Sequence, residues 1–283
     1  MKPQRPEQFG ICSWSTHPKD PADLAARMKE LGLKRVQLAL DPLRSNASVW
    51  GSVQQVLKAQ GLTICSGMFG CKGEDYSTLE SIRATGGVVP DKTWPDNWAA
   101  IQEHAPNAAK LGLTLVSTHA GFLPHDESHP DFTKLVDRIS QIAELFKKHN
   151  LVLVFETGQE TAETLGSFLD ALDKQGATNT GVNFDPANMI LYDKGDPVES
   201  LKKLMPRVMQ VHIKDAKRTT KPGTWGTEVA IGDGDVDWRG FLKALAEGDF
   251  AGNLVIEREA GEDRVGDVRK AIDRLTKIMH ELA

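Results

Sequence analysis

The chain has 283 residues, 40% of them hydrophobic, with 34 basic and 39 acidic side chains giving a formal charge of −5. That length can bury a sizeable core as one large α/β domain or two small ones, and it excludes a disordered or fibrous chain. Charges of both signs are interspersed without long blocks, so neither a nucleic-acid footprint nor a polybasic membrane patch is indicated, and a small molecule is the expected partner.

No run approaches the ~18 apolar residues of a membrane span, and the opening MKPQRPEQFG lacks the apolar segment and cleavage site of a signal peptide, so a cytoplasmic protein is expected. Cys12, Cys65 and Cys71 are odd in number and have no CxxC spacing, which disfavours a disulfide framework or a zinc knuckle. Cys12 and Cys65 lie in strand-like runs and read as small core residues.

Taken in chain order, short apolar runs alternate with longer segments of helical period. The strand candidates are FGICS (9–13), KRVQLAL (34–40), LTICSGM (62–68), LTLVSTH (113–119), LVLVFE (151–156), TGVNFD (180–185), VMQVHI (208–213) and NLVIE (253–257). Between them, segments such as DPADLAARMKELG and DFTKLVDRISQIAELFKKHN repeat apolar residues every three or four positions. Gly32, Gly61, Gly112 and Gly176 follow helical runs as left-handed C-caps would, and Asp96 and Asp131 sit where N-caps or first-turn acids belong. Repeated βα units require a parallel sheet with helical crossovers, and eight of them in this length fit a closed (β/α)8 TIM barrel, one α/β domain over residues 1–283, better than an open doubly wound sheet. Two connections are long, 69–95 and 214–237, and both follow strands, which places them over the C-terminal mouth where barrel active sites form.

Several strands end in groups able to bind metal or move protons: His119, Glu156, Asp185, His212 and Glu257. On a barrel these ends converge on one rim. The result is an oxygen-rich site suited to Mn²⁺, Mg²⁺, Co²⁺ or Zn²⁺, and one bound cation would offset the cost of burying the two glutamates. Singly, each residue has a plainer reading: Asp185 before Pro186 as a helix N-cap, the glutamates as rim salt bridges, and His119 as a satisfied interior histidine. Gln210, His212 and Lys214 share strand parity, so Lys214 is expected at the same mouth unless it pairs at the surface with Asp215. Trp14 and Trp225 are candidate apolar walls at that mouth, whereas Trp94 and Trp98, near a helix start, read as packing. IGDGDVD lacks the GxGxxG spacing of a nucleotide loop and reads as a turn into a helix, and there is no GxSxG elbow.

FETG, NFDPAN, VHIKDAK and VIERE, in this order on the last four barrel strands, resemble the xylose-isomerase-like TIM-barrel superfamily of sugar isomerases and epimerases, with its keto-inositol dehydratase and hydroxypyruvate isomerase relatives. The resemblance implies that Glu156, Asp185, His212 and Glu257 ligate one divalent metal. It also implies that Glu156 and Glu257 exchange protons with a sugar or keto-sugar through a metal-stabilised enediolate. His119, Lys214, Arg218, Trp14, Asn188 and Trp225 are the expected substrate contacts. Asn188 stands where many relatives have histidine, and Ala162 where ketose epimerases have a sugar-binding glutamate, while Arg218 matches their arginine. DNA-repair relatives need more histidines than this rim offers. Isomerisation or epimerisation is the leading expectation, dehydration of a keto-sugar or inosose through the same intermediate the alternative, and a non-catalytic sugar-binding barrel the third. Self-association through the C-terminal helix, with Val268, Ile272, Leu275 and Ile278 apolar, is left open.

Overall fold

The computed structural model describes residues 3–282. Eight parallel strands close into a barrel: β1 (Phe9–Cys12), β2 (Arg35–Ala39), β3 (Thr63–Met68), β4 (Leu115–Thr118), β5 (Val152–Glu156), β6 (Thr180–Phe184), β7 (Val208–Ile213) and, after a two-stranded hairpin of β8 (Asp215–Lys217) and β9 (Thr227–Val229), β10 (Asn253–Ile256). Going round the wall the order is β1, β10, β7, β6, β5, β4, β3, β2, so each strand pairs with its sequence neighbours and β10 closes on β1, Ile11 beside Ile256. The chain folds as the (β/α)8 TIM barrel that its pattern implies.

The helices form where the sequence provides boundaries. Asp20 accepts from the amides of Ala22 and Asp23 ahead of the helix Pro21–Glu30, and Gly32 beyond its end has φ 70°. Gly61, Gly112 and Gly176 likewise have positive φ after their helices, while Asp96 and Asp131 lie in first turns. The helix Pro130–Lys148 buries a stripe that includes Phe132, Leu135, Ile139, Ile142 and Phe146 and packs against β5. Each such Leu, Ile or Phe contributes about 1.5–3 kcal/mol of hydrophobic stabilisation. On the C-terminal helix Arg264–Leu282, Val268 and Leu275 are buried while Ile272 and Ile278 are only partly covered by the core. Trp94 and Trp98 stack on each other, half-buried, with the Arg138 guanidinium over Trp94.

Cys65 departs from the expectation that it is a core residue. Ile64 pairs with Val36 and Ser66 with Gln37, so Cys65 is the extra residue of a bulge in β3; its side chain is only partly buried and its thiol donates to Val36 O.

Both long connections are structured. The first carries the helix Leu79–Thr85, capped by Thr78; the Gly87 amide donates to Glu74 within the same connection, and the Val88 amide donates to Ala120 O in the turn that follows β4. Gly87 has φ +64°, and a Cβ there would lie 2.1 Å from Ala120 O, one residue beyond His119. The second connection folds as the β8–β9 hairpin around Asp215. The Asp215 carboxylate accepts from the amides of Ala216, Gly232, Gly234 and Val236 and from the Trp238 indole. Burial pushes this carboxyl up while those donors hold it down, with a net upward shift. IGDGDVD is the loop wrapped on Asp215, and Asp237 at its end caps the helix Trp238–Glu247. Among the described residues no helix is long and apolar enough to cross a membrane.

Because Gly87 combines a left-handed backbone with a close approach, Gly87→Ala should destabilise the protein by about 1–3 kcal/mol. Urea unfolding of the variant against the parent measures it.

Candidate metal centre

The carboxylates and the imidazole reach one point because their strands end together. Glu156 is the last residue of β5, Asp185 follows β6, His212 lies near the end of β7 and Glu257 follows β10. His212 Nδ1 stands 3.4 Å from Glu156 Oε1, 3.5 Å from Glu257 Oε2 and 3.8 Å from Asp185 Oδ2. All four side chains are buried, and one ligand atom of each lies within 4.8 Å of the others.

Asp185 fills both roles its position allows. Its Oδ1 accepts from the amides of Ala187 and Asn188 and so caps the helix Pro186–Leu191, while Oδ2 turns to the cluster. Glu156 Oε1 accepts from Asn188 Nδ2 at 2.8 Å, and Oε2 lies 3.8 Å from His119 Nε2. Glu257 is held at both oxygens, Oε1 by the Trp14 indole at 2.8 Å and Oε2 by Lys214 Nζ at 2.9 Å. Lys214 also contacts Glu259 at 2.6 Å and lies 4.0 Å from Asp185 Oδ2, so its partners are these acids, not Asp215.

Glu156 Oε2, Asp185 Oδ2 and His212 Nδ1 are buried without a hydrogen-bond partner. A buried polar atom left bare is costly, and Asp185 Oδ2 and His212 Nδ1, 3.8 Å apart with Glu156 Oε1 and Glu257 Oε2 beside them, fit a cation in place of a donor. Two ligands each about 2.1 Å from one ion stand roughly 3–3.4 Å apart, close to the shorter separations seen here. Three carboxylates and one imidazole suit Mg²⁺, Mn²⁺, Co²⁺ or Zn²⁺.

The proton balance agrees. Burial alone would push the His212 imidazole down, but the negative groups around it carry it well above the usual histidine value. Burial raises Asp185 to about 6, with Glu156 and Glu257 adding to the rise against His212 and Lys214. Burial opposes the charge on Glu156, yet the His212 and His119 imidazoles hold it below its ordinary value. Glu257, opposed in the same way, is held well below by Lys214 and His212.

A model of the family described as "Xylose isomerase-like TIM barrel" matches residues 25–278. The chain belongs to the xylose isomerase-like TIM barrel family. An inosose dehydratase of Clostridium tetani is 24% identical over 181 residues, 56% of this chain and 59% of that protein, so the match takes in little more than half of the relative's length. A xylose isomerase domain protein from Planctomyces limnophilus superposes with a TM-score of 0.84 at 29% identity over 99% of both chains. The 3-keto-D-glucoside 4-epimerase of E. coli superposes with a TM-score of 0.72 at 15% identity, over 95% of this chain and 99% of that one, a likeness of fold.

Above the cluster this xylose isomerase-like barrel opens into a cavity of about 630 Å³. Trp14, His119, Asn188, Lys214 and Trp225, all named from the sequence, line it. Arg218 does not: Asp193 and the Gly195 carbonyl hold its guanidinium away from the cavity.

Sequence reasoning passed over Tyr76, Tyr192, Glu259 and Gln37. The first three line the cavity, and Glu259 shares strand parity with Glu257, the one signal that could have found it. Gln37 lies beneath the cluster as the only uncharged polar residue of KRVQLAL. Its Oε1 is 2.7 Å from His212 Nε2, and its Nε2 donates to Ser117 Oγ at 2.7 Å. β2 and β7 are not neighbours in the wall, so this contact crosses the barrel interior. An amide oxygen only accepts, so with the hydrogen on Nε2, Gln37 takes it and Nδ1 is left for a metal; Asn183 Nδ2 lies 3.0 Å from Nε2. Cys12 Sγ lies 3.7 Å from the same Nε2, and burial pushes that thiol upward, so it stays neutral.

Two outcomes follow for metal titration of the purified protein by calorimetry. Gln37→Leu should weaken divalent-metal affinity about 10–100-fold. Because Asp185 and His212 must both lose protons to ligate, affinity should fall as pH drops through about 6, and binding above that should release protons. A pH-independent affinity between pH 5 and 8 contradicts this.

Proposed function

We propose that the protein is a divalent-metal-dependent lyase that removes water from a keto-sugar or keto-cyclitol. The observation that carries the choice is the inequality of the two glutamates. Glu257 has both oxygens engaged by donors, Trp14 and Lys214, whereas Glu156 keeps Oε2 without a partner. Two-sided epimerisation needs a free base on each face; this site offers one.

Glu156, Asp185, His212 and Glu257 would hold one divalent cation, which would supply positive charge beside the substrate carbonyl. Glu156 breaks the C–H bond beside that carbonyl and takes the proton, and His119, at 3.8 Å, is placed to pass it on. The electron pair left behind forms the carbon–carbon double bond as the β-hydroxyl departs. Lys214, held charged by Glu257 and Glu259, provides the proton with which that hydroxyl leaves as water. Asn188 fixes Glu156 through Oε1, and Trp14 fixes Glu257, so neither carboxylate has to reorganise during the step.

The inosose dehydratase relative supports this reading. Epimerisation or isomerisation is the second reading, favoured by the fold shared with a keto-glucoside epimerase and by the placement of both glutamates at the cavity floor; it requires Glu257 to shed Lys214.

Deuterium incorporation from D₂O and the absorbance of an unsaturated ketone, followed together on inososes and keto-sugars with the metal-loaded protein, separate the two. Glu156→Gln should lower both signals at least about a hundredfold. Lys214→Gln should suppress water loss more than deuterium exchange. Exchange that yields an epimer and no unsaturated product rejects the lyase.

A further inference from the structure

The cavity carries more charge of one sign and more volume than a single small ring uses. Six carboxylates line it, Asp41, Glu74, Glu156, Glu228, Glu257 and Glu259, against Lys214 and His119. Lys214 is committed to two of those glutamates. Arg258, nearby, is committed to Glu228 and Asp267. The amides at the start of the helix Pro186–Leu191, which could cradle an anion, are taken by Asp185. A phosphate or carboxylate would therefore meet no uncommitted lysine or arginine and a surplus of negative charge.

Volume points the same way. At about 630 Å³ the cavity sits within the roughly 300–1,000 Å³ range of sites that hold ligands larger than one six-membered ring. The space beyond the cluster is walled by aromatics from separate loops: Tyr76, 44% exposed, from the 69–95 connection, Tyr192 after the helix Pro186–Leu191, and Trp225 from the 214–237 connection, packed edge-on to Tyr192 at 4.7 Å between centroids. Tyr192 is buried and Trp225 half-buried, so Tyr76 offers the exposed face at the cavity mouth, a surface suited to the C–H face of a second ring.

We infer that the substrate is an uncharged glycoside of two rings, its keto-sugar ring over the metal cluster and its second ring against Tyr76, Tyr192 and Trp225. This rests on the keto-sugar reading above but is tested apart from it. Binding to the Glu156→Gln variant at saturating Mg²⁺, its metal content confirmed beforehand, is measured by calorimetry and needs no chemistry. A neutral keto-disaccharide should bind at least about tenfold more tightly than an inosose, and a keto-hexose phosphate should bind most weakly. Tyr76→Ala should narrow the gap between disaccharide and inosose by weakening the former. Equal or tighter binding of the inosose or of the phosphate overturns the inference. If the disaccharide binds as expected but the parent protein neither exchanges deuterium into it nor changes it, the two-ring assignment stands and the lyase reading fails.

Discussion

Glu156, Asp185 and His212 each bury a polar atom without a hydrogen-bond partner, side by side in a space from which most water is excluded. Everything nearby is arranged around the resulting charge. Asn188 and Trp14 donate to the glutamates from either side, Lys214 balances Glu257, and Gln37 orients the imidazole from beneath. Such a cluster, buried without a counter-charge, would be repulsive and would have to take up protons; the raised Asp185 and His212 are that response in the metal-free protein. A fold able to hold it must resist the repulsion. The closed barrel does so because each ligand hangs from a different strand of a continuous hydrogen-bonded wall.

The same wall explains why the two glutamates are unequal. β10 closes on β1, and the short helical turn after β1 brings the Trp14 indole to Glu257, while the end of β7 supplies Lys214 from the other neighbour. Glu156 lies between β4 and β6, whose ends offer His119 and, past Asp185, Asn188. One glutamate is surrounded by donors and the other is left with a free oxygen. The chemistry proposed for the site follows from strand adjacency.

Much of this was legible in the amino-acid order. Short apolar runs between segments of 3.6 period give the eight strands to within a residue or two, and strand-terminal acids converge whenever such a barrel closes. Contacts across the barrel and within the long loops were not legible. Gln37 meets His212 from the far side of the interior, a pairing with no sequence period. Arg218 matched a family position, yet a local ion pair with Asp193 turns it away. Lys214 has an acid next to it in sequence, but Asp215 is spent on the amides of its own loop, so the lysine finds Glu257 and Glu259 instead. The bulge at Cys65 shifts register by one residue, a change that hydrophobic alternation over so short a run does not reveal.

Asp185 joins two parts of the molecule through a single carboxylate. One oxygen terminates the helix Pro186–Leu191; the other belongs to the cluster. That helix carries Asn188 and Leu191 and leads directly into Tyr192, all of them cavity wall. Whatever draws on the second oxygen therefore also bears on the first, and occupancy of the ion site and stiffness of the substrate wall become a single mechanical variable.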